Sequence, residues 1–411
     1  MLMLLYRIAT GGIGAIAGPY GRVRAARGDR LWQGRLGLVA DLRPTDVWVH
    51  ASSVGEVRVA ANLVRFLAAG RPDLKIHLTT MTVAGQQTAC AMLGAMATTS
   101  FFPWDFPSAI RRTLDTLRPR LIVIAETEIW PNLLTEAAER DLPVVLVNGR
   151  MSRRAFGRYR LFGHTLGQLL ATYDRFFFKT NEDAERYASF GIEAERVEVA
   201  GDMKFDAPLP VRSPVEIAAI RAELGVSPND FLLVAGSTRE GEEVSLLQAY
   251  QHLRKLHPHL KMVMAPRHVE RCPKIRQMLK TAGVSYAVYG DGVADIILVD
   301  RVGILNKLYL AADLAFVGGT LVEIGGHNLL EPVWAGTPVV YGPSLGNVAE
   351  AAAYIENHNY GARVADKDQL IAIIAKTITG EIRFRIKNEI DLKGSATTVV
   401  GEYILSKLDD A

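Results

Sequence analysis

Two short stretches place carboxylates where a proton could be moved. His50-Ala51-Ser52-Ser53-Val54-Gly55-Glu56 follows one apolar run, and Glu126-Thr127-Glu128-Ile129-Trp130-Pro131-Asn132 follows another. Ser53 and Glu56 have the spacing of a capping box, in which the glutamate only satisfies a helix terminus. Alternatively Glu56 projects from a strand-to-helix turn, held ionised by the helix N-terminus and ready to accept a proton. Spacing alone favours the cap. Pro131 suits the first turn of a helix. Glu126 and Glu128 are therefore expected at a strand end, on opposite sides of an extended chain, one of them able to orient a substrate hydroxyl. Two solvated loop acids are the plain alternative.

Cations and glycines recur in the same kind of position. Asn148-Gly149-Arg150-Met151-Ser152-Arg153-Arg154 runs on to Arg158 and Arg160, giving five arginines in eleven residues. That run is either a solvated helix face or a grip on a doubly anionic ligand, since guanidinium pairs bidentately with phosphate. Lys204, after Gly201-Asp202-Met203, could join it. Farther on, Ala235-Gly236-Ser237-Thr238-Arg239-Glu240 reads as a strand end opening a helix, a natural anion site. Ala265-Pro266-Arg267-His268 ends another strand on a cation. In Gly318-Gly319-Thr320-Leu321-Val322-Glu323-Ile324-Gly325-Gly326-His327-Asn328-Leu329-Leu330-Glu331-Pro332, paired glycines allow close backbone approach to a ligand. Asn328 and Glu331 are expected on the first turn of the following helix. The glycines form neither a dinucleotide fingerprint nor a Walker A loop. His268 and His327 lack partners at metal-ligand spacing, so neither a metal nor a cofactor is expected.

These residues must be positioned by regular elements. Val47–Ala51, Ile76–Thr80, Leu121–Ala125, Val144–Asn148 and Arg175–Lys179 read as strands. Glu56–Ala69 and Pro131–Arg140 carry apolar residues at helical spacing. Strand–helix alternation of this kind argues for parallel sheets covered on both faces. Asp206–Pro214, with three prolines in nine residues, reads as a linker. Beyond it come Phe231–Ala235, Lys261–Ala265, Asp295–Val299, Leu314–Val317 and Pro338–Tyr341. The expected class is α/β, with two Rossmann-like domains and a cleft between the carboxyl ends of their sheets. The expected partition is residues 1–40 as an N-terminal segment and basic arm, 41–206 and 207–214 as first domain and linker, 215–385 as second domain, and 386–411 as a terminal helix packing back across the cleft.

Bulk composition narrows the class. The chain has 411 residues, 49% hydrophobic and 22% charged, with a formal charge of +3. Such a balance excludes a nucleic-acid-coating surface. Two distant cysteines, Cys90 and Cys272, exclude a disulfide framework and fit a reducing compartment. The first twenty residues are apolar apart from Arg7, reach spanning length only if Arg7 snorkels, and carry no A-x-A-like cleavage site. Arg22, Arg24, Arg27, Arg30 and Arg35 follow, a polybasic stretch of the sort drawn to anionic leaflets.

Taken together, His50–Glu56, Thr79–Gln87, Glu126–Leu134, Asn148–Arg154, Gly201–Asp206, Ser237–Glu243, Pro266–Arg271 and Gly318–Pro332 resemble the bacterial Kdo (3-deoxy-D-manno-octulosonic acid) transferases of lipopolysaccharide assembly. The matches run in order over most of the chain. The resemblance implies a glycosyltransferase-B fold, with lipid acceptor on the N-terminal domain and CMP-Kdo on the C-terminal one. It implies an inverting displacement on a lipid A precursor at the cytoplasmic face of the inner membrane, with no nucleic-acid partner. Glu56 matches the catalytic base and Glu128 the second acid of that site. Ser237, Arg267, His268, Gly318, Gly319, Gly326, Asn328 and Glu331 fall on the donor side, the Gly318-Gly319 backbone and Arg267 suiting the CMP phosphate and Glu331 the ribose. Ser53, Gly55, Arg150, Arg153 and Lys204 fall on the acceptor side. Two stretches depart from the family. Ile304 stands where many members have an acid, and Ser344-Leu345-Gly346-Asn347-Val348 replaces an aromatic-rich loop. Rival readings are another glycosyltransferase-B enzyme or epimerase using a UDP-sugar, and a non-catalytic sugar- or lipid-binding scaffold.

Overall fold

The computed structural model describes residues 2–39, 42–206, 212–387 and 395–410. Residues 207–211 of the expected linker lie outside the described residues, as do 388–394 of the expected terminal segment and the boundary at 40–41. The chain forms two compact units.

In the first unit the strands are β1 (Val47–His50), β2 (Ile76–Thr80), β3 (Thr98–Phe101), β4 (Leu121–Ala125), β5 (Val144–Gly149), β6 (Arg175–Phe178) and β7 (Val197–Val199). They lie in the order β3-β2-β1-β4-β5-β6-β7, and every pairing is parallel. Side chains alternate between two buried faces, as a parallel sheet requires. Val47, Val49, Val123 and Val145 point into one core with Ala60, Leu63 and Leu67. Trp48, Ile122, Ile124, Leu146 and Phe176 point into the other with Ile110, Leu114 and Leu133. The helix Ala396–Asp409 belongs to this unit. Val400, Ile404 and Leu408 complete the first core, and Gly401 gives room to the Phe66 ring. Lys407 Nζ closes a 2.8 Å ion pair with Asp174.

The second unit contains β8 (Phe231–Thr238), β9 (Leu260–Pro266), β10 (Tyr286–Val288), β11 (Ile296–Leu298), β12 (Leu314–Val317), β13 (Val339–Tyr341) and β14 (Gly361–Arg363). Their order is β10-β11-β9-β8-β12-β13-β14, again all parallel. Two such seven-stranded parallel sheets constitute the glycosyltransferase-B class. In the first sheet the strand order reverses between β1 and β4; in the second it reverses between β8 and β12, with β10 and β11 exchanged at one edge. Open α/β sheets bind ligands at the carboxyl ends beside that reversal. Glu56 and Glu128 follow β1 and β4, whereas Ser237 lies at the end of β8 and Gly318 follows β12.

The N-terminal helix Leu2–Ala26 is 25 residues long, and by length and composition it could cross a membrane. It lies along the first unit. Tyr6 Oη donates to Asp105 at 3.0 Å, Arg7 reaches Glu136 at 2.6 Å and Glu139 at 2.8 Å, and the Asn132 amide donates to Thr10 Oγ1 at 3.0 Å. Buried Glu136 thereby holds Arg7 against the protein. Leu4, Leu5, Ile8, Ile13 and Ile16 face outward and are exposed.

Candidate active site

Ser53 caps the helix Val54–Gly70 and Glu56 sits in its first turn. The Ser52 amide donates to Glu56 Oε2 at 2.7 Å and the Ser53 hydroxyl to Oε1 at 2.9 Å. Capping geometry and a functional carboxylate therefore coexist in one residue. Burial pushes the Glu56 carboxyl up to about 7. The Ser52 and Ser53 hydrogen bonds pull against that rise, while Glu128 and Glu126 reinforce it. The helix N-terminus alone was expected to keep Glu56 ionised, and desolvation overrides it.

Glu126 carries a left-handed backbone, φ 58°, which turns the chain at the end of β4. Glu126 and Glu128 consequently do not diverge. Both line one cavity of about 280 Å³ with Glu56, Arg150, Arg158 and Tyr159. Burial raises the Glu126 carboxyl, opposed chiefly by Arg150 and Lys179, and Arg150 Nε lies 3.5 Å from Glu126 Oε2. Glu128 Oε2 lies 3.9 Å from His50 Nε2.

The other acceptor-side residues divide. Arg150 is on the cavity, but Arg153 is strongly exposed and pairs with Glu182 at 3.4 Å. Lys204 pairs with Asp202 at 3.3 Å and lies over the Phe205 ring. A Cβ at Gly55 would meet only Ser53 Oγ, at 3.8 Å, so this glycine leaves backbone open at the helix start. Two groups escaped the sequence reading. Lys179, directly after β6, binds Asp202 at 2.6 Å. Asn148 adopts φ 54° and accepts the Met203 amide at 2.9 Å. A lysine closing the run Arg175-Phe176-Phe177-Phe178 was the available signal for the first.

In the second unit Ser237, φ 54°, turns the end of β8. Arg239 then reaches two imidazoles: its Nε donates to His327 Nε2 at 2.9 Å, and its NH1 lies 2.6 Å from His268 Nε2. Burial and then Arg239, Arg267 and His268 depress His327 to about 4. Arg267 and His268 are exposed at the end of β9. Glu331 is raised by burial, opposed by the Asn328 amide at 3.3 Å and by Arg267. Asn328 stops short of the helix Leu330–Trp334, where it accepts the Leu330 amide at 3.1 Å.

The glycine pair requires a correction. Buried Glu242, in the first turn of the helix Glu242–Leu256, accepts the amides of Gly319 at 2.8 Å, Thr320 at 3.0 Å and Leu321 at 2.9 Å, as well as that of Arg239 at 2.8 Å. The Gly318 amide donates to Gly236 at 2.9 Å. These amides are committed inside the protein and do not face a phosphate. The glycines are needed for space: a Cβ at Gly318 would strike the Ser237 carbonyl and lie 2.5 Å from Thr238 Cα. Gly326 is buried with φ 87°, and a Cβ there would lie 2.5 Å from Val348 Cγ2. Among the described residues no cluster of three or more His, Cys, Asp or Glu is arranged to hold a metal.

Residues 30–207 match the family model of 3-deoxy-D-manno-octulosonic-acid transferase (kdotransferase). The 3-deoxy-D-manno-octulosonic acid transferase of Bordetella pertussis is 34% identical, covering 85% of this chain and 85% of that protein. The Haemophilus influenzae transferase of the same name is 32% identical over 75% and 73%. A bifunctional glycosyltransferase/methyltransferase of Fusobacterium nucleatum is 35% identical over 83% of this chain, which spans only 54% of that protein. In fold the chain is similar to UDP-GlcNAc 2-epimerase from Neisseria meningitidis, with TM-score 0.54 and 14% identity over 89% of this chain and all of that one.

Proposed function

Because the chain belongs to the Kdo transferase family, we propose that it moves Kdo from CMP-Kdo to a hydroxyl of a lipid A precursor, with inversion at the anomeric carbon. The carrying observation is Glu56: a buried carboxyl fixed by Ser52 and Ser53, poised near neutrality, on a cavity that Arg150 and Arg158 also line. A base must match its operating pH and reach the proton it removes. Glu56 takes the hydroxyl proton as that oxygen attacks the anomeric carbon. The C–O bond to CMP breaks, and its electron pair leaves on the phosphate.

The second unit supplies the groups for that leaving charge. Arg267 and Arg239 are cations beside histidines that act as acceptors, and fixed cations and dipoles there provide several kcal/mol of stabilisation without a metal. Ser237, His268 and Asn328 add polar contacts, and Glu331 suits ribose hydroxyls. On the first unit, Arg150, Arg158 and Lys204 suit the phosphates of an acylated disaccharide. The outward Leu4, Ile8 and Ile16, together with exposed Leu161 and Phe162 beside Arg158 and Arg160, suit attachment at the cytoplasmic leaflet of the inner membrane. Arg7 pinned to Glu136 favours a helix lying in the interface over one crossing the bilayer.

A transfer assay with CMP-Kdo generated in situ and the tetra-acylated precursor, read by mass spectrometry, tests this. One or more Kdo masses should be added. No added mass, with turnover of a UDP-sugar instead, would overturn it in favour of epimerase-like chemistry.

A further inference from the structure

The N-terminal helix Leu2–Ala26 has two faces at helical spacing. Leu4, Leu5, Ile8, Ile13 and Ile16 are exposed, whereas Tyr6, Arg7, Thr10, Gly14 and Gly21 turn toward the first unit. A Cβ at Gly14 would lie 3.0 Å from the Phe106 ring and one at Gly21 2.6 Å from the Trp32 ring, so the helix backbone is closely seated. Its polar contacts fall on residues 102–106 and on the helix Pro131–Ala138. That second helix follows the acid loop directly. At the near end of the loop the Glu126 amide donates to the Val147 carbonyl at 2.9 Å, and at the far end Trp130 stands as the N-cap.

The Trp130 side chain makes no capping bond, and Pro131 lacks an N–H. Leu134 bonds back to the Trp130 carbonyl at 2.9 Å, which leaves the amides of Asn132 and Leu133 in need of an acceptor from elsewhere. Buried Asp105 serves both: its Oδ2 accepts the Asn132 amide at 2.9 Å and its Oδ1 the Leu133 amide at 3.0 Å. Tyr6 Oη donates to the same Oδ2 at 3.0 Å. The buried Asn132 side chain donates to the Asp105 carbonyl and, at 3.0 Å, to Thr10 Oγ1, whose own proton goes to the Tyr6 carbonyl at 2.8 Å. Farther along the same helix, Glu136 binds Arg7 at 2.6 Å. Tyr6, Arg7 and Thr10 thus fasten the N-terminal helix to the helix that begins behind Glu126 and Glu128.

We propose that Tyr6 and Thr10 are positioning residues of the active site: by completing the Asp105 cap they fix the far end of the acid loop, and so hold Glu128 on the cavity it shares with Glu56. Trp130 is braced from the same segment as Asp105, its ring 5.0 Å from that of Phe102. Loosening the cap lets the loop drift, and a misplacement of about 1 Å caused far from the chemistry can cost about 10²-fold in rate. The outward leucine and isoleucine face is left for attachment, so one helix carries two separable tasks. The inference rests on the reading of Glu56 and Glu128 as the acids of a transferase site.

Two measurements on the full chain in detergent test it. Hydrogen exchange read by mass spectrometry needs no activity. In the double variant Tyr6→Phe/Thr10→Val, the peptide covering residues 126–134 should exchange about tenfold faster than in the parent, as the loss of supporting hydrogen bonds predicts. An unchanged rate would overturn the coupling. In kinetics, kcat per folded enzyme should fall about tenfold or more, while KM for CMP-Kdo and co-sedimentation with phosphatidylglycerol vesicles stay within about twofold. Thr10→Ser, which keeps the hydroxyl, should match the parent. An unchanged kcat in the double variant, or a fall matched by lost vesicle binding, would reduce the helix to an anchor and sink the proposal. If the double variant does not fold, Tyr6→Phe alone is read by the same exchange. An inactive parent enzyme would refute the transfer reading while leaving the exchange result to judge the coupling.

Discussion

Glu56→Gln should make the protein both slower and more stable, and the second effect should depend on pH. Burial lifts the Glu56 carboxyl from its ordinary 4.5 to about 7. The folded state thus holds a proton that the unfolded chain has already released, and stability falls as pH rises through that window. The gap corresponds to about 3 kcal/mol, fully expressed above pH 7, fading as pH falls from 7 to 4.5 and absent below that. Glutamine keeps an acceptor for the Ser52 amide and can donate to Ser53 Oγ, but it never ionises. Urea midpoints of variant and parent should therefore differ by about 3 kcal/mol at pH 8, and by about 1 kcal/mol or less at pH 5. Loss of the general base should cost about 10²–10⁴-fold in turnover. The parent should show an acid limb near pH 7. A stability gap equal at both pH values would refute the burial argument. Undiminished turnover would refute the assignment of Glu56 as base.

Arg267→Ala should weaken CMP-Kdo binding, by about tenfold or more if the guanidinium meets the phosphate, while leaving binding of the lipid acceptor intact. Calorimetry with CMP and vesicle co-sedimentation separate the two, and loss of lipid affinity would mean that the acceptor lies elsewhere. Glu242→Ala strands the Gly319, Thr320 and Leu321 amides. At about 1–3 kcal/mol for each buried orphan, the second unit should lose about 3 kcal/mol or more, read as a lower urea midpoint. A shift below about 0.5 kcal/mol would show that water replaces the carboxylate without cost.

Much of this organisation is legible in the chain because buried parallel strands are continuous β-branched runs. Val47–His50, Leu121–Ala125 and Val144–Gly149 announce themselves that way. Thr98–Phe101 does not, since three of its four residues are polar, and the three-residue strands β7, β10 and β14 are too short for a periodic signal. Ser53 and Glu56 were readable as either cap or base, and three-dimensional geometry allows both. The turn at Glu126 was not readable: a glutamate with positive φ has no sequence marker, and tertiary contacts hold it there. The role of Glu242 was not readable either, because only the fold brings the glycine loop onto its carboxylate.

The helix Ala396–Asp409 has a consequence for how the protein is made. It closes the core of the first unit, yet the ribosome reaches it only after the entire second unit, about 190 residues beyond position 206. At synthesis rates of roughly 5–20 residues per second, that is a delay of about 10–40 s. Through that interval the nascent first unit leaves Ala60, Leu63 and the Phe66 ring without their covering helix, and the second unit has its whole sequence before that helix is made. Completion therefore runs against chain order, because a segment translated after the second unit is the one that seals the first.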